Sequence, residues 1–357
     1  MALTNYGVNA PEAVKLWSDV LSREALKATW FNKFVGKDSD SLIQEKTDFK
    51  KSAGDRLTMI LRMQLTGDGV LGDGTLEGNE EKLSTYTDNL LIDQLRHAVR
   101  SGGKMSDQRI PFSVRDEAKD GLRDWIAGRL DTAFFNQLCG FTAQTDLRYT
   151  GNNAVLAPTK VYRPNARAND QSLVAGDEFT LASIDNAVAA AKQATPVMRP
   201  LKINGADHYV LFLHPDQVTQ MRTNTATGQW LDIQKAATTG DGSKSNPIFT
   251  GALGMYNGVI LHESTRITNG VNSATGAVVT NARRAVLAGA QALVMGFGKG
   301  NSISNSSWDW VEKLFDYENQ LGVAAGAIYG MKATRYNGAD FSKIGIHTYT
   351  PQSTLGA

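Results

Sequence analysis

The sequence has almost no cysteine and almost no net charge. Cys139 is the single cysteine, so no intramolecular disulfide can form, and folding in a reducing compartment is expected. Lys and Arg number 37 against 36 Asp and Glu, a balance that argues against tight, charge-driven coating of nucleic acid. No stretch approaches the roughly 20 apolar residues of a bilayer-spanning helix, and the N-terminal residues lack the pattern of a signal peptide. We therefore expect a chain that is made in the cytoplasm and has no membrane partner.

Motifs for metal binding and nucleophilic catalysis are also missing. The five histidines have no metal-ligand spacing, and the sequence contains no HExxH, CxxC or GxSxG motif. Cys139 lies in an apolar stretch without a basic residue nearby, which favours a buried, inert thiol. We therefore expect no catalytic residue, no resident metal ion and no enzymatic activity.

A glycine-rich segment at residues 67–78 admits two interpretations. Gly67, Gly69 and Gly72 match the GxGxxG pattern of dinucleotide-binding turns. Such a turn must open a helix, whereas DGTLEGNEE follows here, and Asp68 and Asp73 would repel a pyrophosphate. We therefore favour a flexible tip without a cofactor, and a nucleotide-binding enzyme is the less favoured alternative. Weak binding of a divalent ion by the acidic residues of this segment stays open, although a solvated rim is favoured.

Two extended segments flank the glycine-rich segment. From Arg56 onwards apolar and polar residues alternate, which predicts a strand with one buried face. Its apolar members include Leu57, Met59, Leu61 and Met63. A second extended run covers about 83–100, and the two runs predict a long hairpin arm, ~40 Å per strand at about 3.3 Å per residue. Because an isolated two-stranded arm is marginally stable in water, we expect another molecule to stabilise it.

The most regular helical pattern covers residues 113–139. Ser113 can cap the first turn, and apolar side chains recur at helical spacing along one face. The predicted core positions on this helix are Val114, Leu122, Trp125, Ile126 and Leu130. Gly121 and Gly128 fall on the same stripe, and since each costs up to about 1 kcal/mol relative to Ala, close approach of another backbone is the predicted reason for them.

A further helix is predicted near the N-terminus, over residues 9–36. Its large apolar side chains need a surface to lie on, either in this subunit or in a neighbour. These side chains include Trp17, Trp30, Phe31 and Phe34.

The remaining chain mixes helices and strands without a regular βαβ rhythm, which indicates an α+β fold. Helices are predicted over 180–194 and 215–222. Strands are predicted over 208–213, within 251–264 and over much of 308–335. Residues 141–178 and 223–246 are rich in turn-forming residues and predict loops.

Two basic clusters accompany the acidic residues of the glycine-rich segment. Neither cluster has the interleaved aromatic residues that stack on bases. We interpret them as charged residues at subunit contacts, which meet the acidic hairpin tip of a neighbouring subunit. Such charges mainly determine which surfaces pair and in what register. The basic residues are Lys46, Lys50, Lys51 and Arg56 in one cluster, and Arg96, Arg100, Lys104 and Arg109 in the other; the acidic residues are Asp68, Asp73, Glu77, Glu80 and Glu81.

The succession of N-terminal arm, glycine-tipped hairpin and long amphipathic helix resembles the Hong Kong 97-type capsid fold. The sequence itself is similar to those of the major capsid protein family of N4-type tailed phages. The segments that carry this resemblance are LTNYGVNAPEAVKLWS, SLIQEKTDFKKSAGDRL, LTGDGVLGDGTLEGNEEKL, IDQLRHAVRSGGKMSDQRIPFSVRDEAKDGL and FFNQLCGFT, with weaker likeness in YVLFLHPDQVTQMR and IFTGALGMYNGVILHES.

The resemblance implies a domain map. Residues 1–49 would form an N-arm and 50–105 an extended loop called the E-loop. Residues 106–177 and 306–357 would form a peripheral domain around the spine helix, about 113–139, and 178–305 an axial domain. The implied contacts with neighbouring subunits are Arg56, Leu57, Met59, Leu61, Met63, Gly67, Asp68, Gly69, Gly72, Asp73 and Glu77 in the E-loop, and Trp17, Trp30, Phe31 and Phe34 in the N-arm.

The same resemblance implies a structural function. The chain would assemble with itself into hexamers and pentamers of an icosahedral head in the virion, built in the host cytoplasm and enclosing double-stranded DNA that lies loosely on the inner face. A portal protein and a separate scaffolding protein are the implied partners. Decoration proteins, covalent cross-links, proteolytic maturation and shell size stay open, and a nanocompartment shell protein of the same fold is the principal alternative.

Overall fold

The computed structural model describes residues 29–46, 54–62, 65, 67–83, 85–111, 113–203, 205–224, 254–298 and 309–351. Four α-helices lie in these ranges: α1 (Lys104–Gln108), α2 (Val114–Cys139), α3 (Leu181–Gln193) and α4 (Pro215–Thr223). The strands of the described residues are β1 (Val35–Gly36), β2 (Ile43–Lys46), β3 (Arg56–Arg62), β4 (Thr85–Leu91), β5 (Asp93–Arg100), β6 (Val161–Tyr162), β7 (Leu201–Ile203), β8 (Ala206–Leu213), β9 (Gly254–Tyr256), β10 (Val259–Glu263), β11 (Asn269–Val271), β12 (Val278–Ala288), β13 (Leu293–Phe297), β14 (Asp309–Phe315), β15 (Gln320–Ala333), β16 (Arg335–Tyr336), β17 (Ala339–Asp340) and β18 (Lys343–Tyr349).

The strands form two larger sheets and two small ribbons. A six-stranded sheet has the order β1-β2-β13-β15-β14, with β5 also paired to β15. An eight-stranded sheet has the order β6-β18-β12-β8-β10-β9, with β11 on β12 and β7 on β8. Strands β3 and β4 form a separate two-stranded ribbon, as do β16 and β17. Each large sheet contains strands of both the predicted peripheral domain and the predicted axial domain. The boundaries between these domains therefore stay a prediction.

Helix α2 confirms the predicted spine helix. The side chain of Ser113 accepts a hydrogen bond from the backbone N–H of Asp116, and Gly140 ends the helix in the left-handed conformation. Leu122, Ile126 and Leu130 are buried in the larger apolar core, as predicted. Trp125 packs against that core while partly exposed, and Val114 is only half-buried in the first turn, so Val114 is not a core residue.

The described residues do not show the close approach predicted for the glycines of the spine helix. Among those residues, a Cβ built on Gly121 would meet no atom within 4 Å, and one built on Gly128 would meet only the guanidinium of Arg266 at 3.9 Å. Close approach of another backbone to either glycine therefore stays a prediction.

The described residues form two large apolar cores, beside a small third cluster at the β3–β4 ribbon. The larger one joins α2 to the six-stranded sheet and to part of the eight-stranded sheet, through residues such as Phe134, Phe212 and Tyr329. The second places α3 and α4 on the eight-stranded sheet, with Ile184, Val218 and Leu261 among its members. Burial at this scale, at roughly 25 cal/mol per Å² of apolar surface, is the main favourable term in folding.

The predicted elements after residue 178 are largely confirmed. Helices α3 and α4 match 180–194 and 215–222, and β8 contains 208–213. Strands β9 and β10 lie within 251–264, and β14 and β15 occupy most of 308–335. Residues 141–178 are mainly loops and short 3-10 helices, as predicted, whereas 225–253 lie outside the described residues.

The predicted N-terminal helix is wrong at its C-terminal end. Residues 9–28 lie outside the described part of the chain, but Trp30–Phe34 form a 3-10 helix, and β1 then pairs in parallel with β2. Tertiary contacts override the helical pattern here, because the aromatic side chains of this segment enter the subunit's own core.

The predicted hairpin arm is shorter than the sequence indicates. The ribbon pairs Arg56 with Leu91 at one end and Arg62 with Thr85 at the other. From Asp93 the chain leaves the ribbon, and β5 pairs with β15 in the six-stranded sheet. The second strand of the predicted arm is therefore divided at Ile92, and only its first half belongs to the ribbon.

Candidate assembly surfaces

The root of the β3–β4 ribbon is fixed to the body by apolar packing. Met59 and Leu90 are buried against Val294 of β13, with Leu57 and Ile92 packed beside them. On the opposite face Ile60 is 69% exposed, which confirms the alternation predicted for this strand. Met59 lies against its own subunit, so its predicted role as a contact with a neighbour is corrected. Leu57 is half-buried in the same cluster, and its inter-subunit role stays a prediction.

Polar contacts reinforce the ribbon root. Asp88 is buried, forms an ion pair with Lys332 and accepts a hydrogen bond from the backbone N–H of Arg335 at 3.0 Å. The amide of Asn153 accepts from the N–H of Leu91 at 3.0 Å and donates to its carbonyl oxygen at 2.9 Å. The end of the ribbon that joins the body is thereby held in one position.

The tip of the ribbon, residues 67–83, is exposed at every residue. Leu71 is 94% exposed and Leu76 is 63% exposed, which is unusual for two leucines in one segment. The N–H of Gly67 donates to the carboxylate of Glu81 at 2.6 Å, and Gly69 and Gly72 adopt positive φ angles that favour glycine. No helix follows the GxGxxG pattern, so the nucleotide-binding alternative loses the structural context that it needs.

The structure brings most predicted E-loop residues to this tip. Gly67, Asp68, Gly69, Gly72, Asp73 and Glu77 lie there together, and Arg56 is exposed at the ribbon root. The side chain of Leu61 and all of Met63 lie outside the described part of the chain. Their predicted contacts with a neighbouring subunit stay predictions.

The described N-arm residues lie on their own subunit. Phe31 is fully buried and stacks on Phe134 with ring centroids 5.1 Å apart, so its prediction as an inter-subunit contact is corrected. Trp30 and Phe34 are half-buried against the same core, each with its ring near that of Phe212. Trp17 lies outside the described residues.

A buried carboxylate anchors the start of this segment. The backbone N–H of Trp30 donates to Asp131 on the spine helix at 3.0 Å. Burial raises the pKa of the Asp131 carboxyl, partly opposed by Arg266 and by the backbone hydrogen bonds from Trp30 and Phe31. The chain therefore enters the described fold at a fixed point on the spine helix.

Two cations lie at the C-terminal end of the spine helix. Lys343, fully buried, donates from Nζ to the carbonyl oxygens of Gln137 and Leu138 at 3.0 and 3.1 Å. Arg284 donates to the carbonyl oxygen of Gly140 at 2.6 Å. Positive charge at this helix end is favourable because the last carbonyl groups carry partial negative charge. Burial raises the pKa of the adjacent Cys139 thiol, which agrees with the inert role expected for it.

A buried charge network that the sequence did not reveal links the eight-stranded sheet to the loop before α3. Asp170 accepts hydrogen bonds from Arg163 and Arg284 and lies 2.6 Å from Nδ1 of His347. Burial opposes ionisation of Asp170, but His347 and the two arginines outweigh it and hold its pKa well below the ordinary value. Burial lowers the pKa of His347 to about 4. Arg284 and His347 lie 114 and 177 residues from Asp170 in the sequence, so no local pattern signals the network.

The described residues contain neither a metal-binding cluster nor a membrane-spanning helix. Among the described residues, no three or more His, Cys, Asp or Glu side chains are grouped so that they would hold a metal ion. No helix in the same ranges is long and apolar enough to cross a membrane.

Comparison with known proteins decides the family. Residues 5–352 match the family described as phage capsid protein. The chain belongs to this phage capsid protein family. The major capsid protein of Pseudomonas phage KPP25 is 30% identical over 386 aligned residues, covering 96% of this capsid protein and 97% of the relative. The resemblance inferred from the sequence is confirmed.

Solved capsid structures share the fold of this capsid protein. The capsid of Ralstonia phage GP4 has a TM-score of 0.77 at 32% identity, covering 99% of this chain and 100% of that one. The capsid of cyanophage Pam1 has a TM-score of 0.70 at 19% identity, covering 92% and 94% of the two chains. The fold is the Hong Kong 97-like capsid fold, with mixed helices and strands as predicted.

Proposed function

We propose that this chain is the major capsid protein of a tailed phage and builds an icosahedral shell of hexamers and pentamers around double-stranded DNA. The observation that carries the proposal is the ribbon, whose root is fixed to the body while every residue of its tip is exposed. A subunit designed to remain alone would not present Leu71 and Leu76 to water at the end of an arm. Membership of the phage capsid family supports the same function.

Shell formation in this proposal depends on buried area rather than on chemistry. In this proposal the ribbon of each subunit lies across the next subunit. Burying a few hundred Å² of apolar surface per ribbon contributes several kcal/mol at about 25 cal/mol per Å², before the cost of ordering. Repeated over many copies, such modest contacts give a stable particle.

The proposed partners follow from the near-neutral charge and the family. A net charge of +1 suits an inner wall that lies loosely against DNA and does not bind it tightly. A separate scaffolding protein would guide assembly in the host cytoplasm, and a portal protein would occupy one vertex. The mature location of the subunit is the capsid shell of the virion.

Negative-stain microscopy of the overexpressed protein, with and without a scaffolding partner, tests this function. The wild type is expected to form shells or polyheads. The tip variant Leu71→Ser with Leu76→Ser is expected to lose them while staying folded. Leu147→Ser, which alters a body leucine that is 48% exposed, serves as the matched control and should still assemble. A wild-type protein that stays a small, uniform oligomer under all assembly conditions would contradict the proposal.

A further inference from the structure

A pocket of about 270 Å³ lies between strands of the two large sheets. One wall comes from residues 33–35 and 40–42, on either side of β1, and the other comes from β7, β8 and β10 of the eight-stranded sheet. Strand β1 is the outermost strand on its side of the six-stranded sheet. The pocket therefore separates the edge of one sheet from three strands of the other.

The inner surface of this pocket is apolar. Leu42, Leu201 and Val210 line it and are buried members of the larger core. Phe34 and Ile260 line it as well and are half-buried. Water gains few hydrogen bonds beside such side chains, so an aliphatic chain is favoured in this space.

One cation at the pocket is held in a defined position. The Lys33 ammonium lies 3.4 Å from Nδ1 of His262, and 4.7 and 5.1 Å from the ring centres of Trp30 and Phe34. Because an ammonium group can only donate hydrogen bonds, Nδ1 accepts and the imidazole in this contact is neutral. Burial of part of the side chain lowers the pKa of Lys33. Ring faces attract the ammonium without neutralising it, so an anion would supply the missing counter-charge.

The pocket carries more positive than negative charge. Its charged lining residues are Lys33, Lys202 and Asp40, all of them exposed. Neither lysine forms an ion pair with another described residue, although Asp207 stands opposite Lys202 in the β7–β8 ladder. Two ammonium groups beside an apolar surface are complementary to a ligand with a negative head and an aliphatic tail.

The size and charge of the pocket restrict that ligand further. Pockets for drug-sized molecules have roughly 300–1,000 Å³, so a pocket of about 270 Å³ suits one short chain better than a peptide segment. Two ammonium groups and one carboxylate leave a net charge of +1, which a singly charged carboxylate balances. A lysine ammonium also forms strong, charge-assisted hydrogen bonds with a carboxylate.

We propose that this pocket binds an aliphatic monocarboxylate of medium chain length. The carboxylate pairs with Lys33 and is attracted by Lys202, and the hydrocarbon chain lies against the buried leucines and Val210. A ligand in this position contacts strands of both large sheets and stabilises the subunit, because it binds the folded state alone. The site belongs to the single subunit and does not depend on the proposed shell function.

Titration with simple fatty acids tests the site. Isothermal titration calorimetry of unassembled subunits with sodium octanoate, kept below its micelle-forming concentration, should show one molecule bound per subunit. Hexanoate and butanoate should bind more weakly, by about fourfold in Kd for each CH₂ removed. Octylammonium chloride has the same chain with the opposite charge and should not bind measurably. Octanoate that fails to bind, or that binds no better than octylammonium, would overturn the proposal.

Substitution of the two lysines locates the binding. Lys33→Met and Lys202→Met keep an unbranched apolar side chain and should each raise the Kd of octanoate about fivefold. Lys192→Met, at an exposed position of α3, is the matched control and should bind like wild type. Circular dichroism verifies that each variant is folded, and octanoate should raise the Tm of the wild type more than that of either pocket variant. Wild-type affinity in both pocket variants would place octanoate elsewhere on the subunit and overturn the proposal.

Discussion

Lys332 of β15 forms an ion pair with Asp88 of β4, and this contact fixes the root of the β3–β4 ribbon to the six-stranded sheet. The carboxylate is buried, and Lys332 also donates to the carbonyl oxygen of Asn89 at 2.9 Å. The ribbon can therefore project from a fixed base although two strands alone are marginally stable. Four strands of the chain contribute to this base: β3, β4 and β13 through apolar packing, and β15 through Lys332.

Removing the cation should weaken the subunit. Lys332→Met keeps the apolar stem but leaves Asp88 buried without its partner, and we expect the free energy of unfolding to fall by about 2 kcal/mol. Urea denaturation followed by circular dichroism measures the change. Arg148→Met is the control, because its pair with Asp146 is on the surface and such pairs contribute little. Equal stabilities of Lys332→Met and wild type would show that the ion pair does not anchor the ribbon.

Stability should depend on pH through the His347–Asp170 network. The pKa of His347 is about 4 in the folded subunit and lies at 6.5 in the unfolded chain, so the unfolded chain binds more protons between these values. Above pH 6.5 His347 makes its full contribution to the free energy of unfolding. About 3 kcal/mol of that free energy is lost as the pH falls towards 4. The lowered pKa of Asp170 acts in the same direction at still lower pH. Wild-type unfolding free energies measured from pH 7.5 to 4 should follow this decline.

The variant His347→Asn isolates that contribution. It should give a flatter profile between pH 6.5 and 4 than the wild type. His214, whose pKa burial also lowers to about 4, leaves some pH dependence in this variant. Identical slopes for His347→Asn and wild type would exclude His347 as a source of acid sensitivity.

Two glycines of the spine helix should change the stability of the subunit in opposite directions when they are replaced by alanine. Gly121→Ala places a methyl group in open space within helix α2 and should stabilise the subunit by about 0.5–1 kcal/mol. Gly140→Ala should destabilise it, because φ is 64° and the new Cβ would lie 2.8 Å from Cδ of Pro158. Thermal unfolding of the two variants reports the signs directly. A loss of stability in Gly121→Ala would mean that another part of the chain covers that helix face.

Phe31 should matter to the isolated subunit. Phe31→Ala removes a fully buried ring that stacks on Phe134 and should reduce the free energy of unfolding by about 3–5 kcal/mol. The measurement is denaturant unfolding under conditions that prevent assembly, with Leu156→Ala, at a 45% exposed leucine, as control. Normal subunit stability combined with defective shells would return Phe31 to the inter-subunit role inferred from the sequence.

The sequence predicted those elements whose signals are local. Ser113 and the apolar spacing of the spine helix defined α2 to within one residue, and alternation defined β3. The division at Ile92 had no local signal, because β5 is extended like β4 and differs only in its partner β15, more than 200 residues away. For the same reason the Asp170 network was not visible, because it joins residues that are distant in the chain.

The N-arm error has a related cause. Large aromatic residues at helical spacing fit an amphipathic helix, but Trp30 and Phe34 contact Phe212 of the eight-stranded sheet, which no pattern near residue 30 can show. The exposed tip could be predicted from the sequence, because closely spaced glycines and acidic residues indicate an exposed loop whatever the chain contacts elsewhere. The fixed root beneath that exposed end was visible only in the structure, because it joins β3 and β4 to the distant strand β13.

Hydrogen exchange at residues 67–83, measured by mass spectrometry in free subunits and in purified shells, tests the central claim most directly. The tip amides should exchange within seconds in the free subunit, where their hydrogen bonds are local and exposed. In shells the same peptides should become strongly protected, because a neighbouring subunit covers them. Equal exchange of these peptides in both states would contradict the account, since the ribbon would then be solvent-exposed within the shell as well.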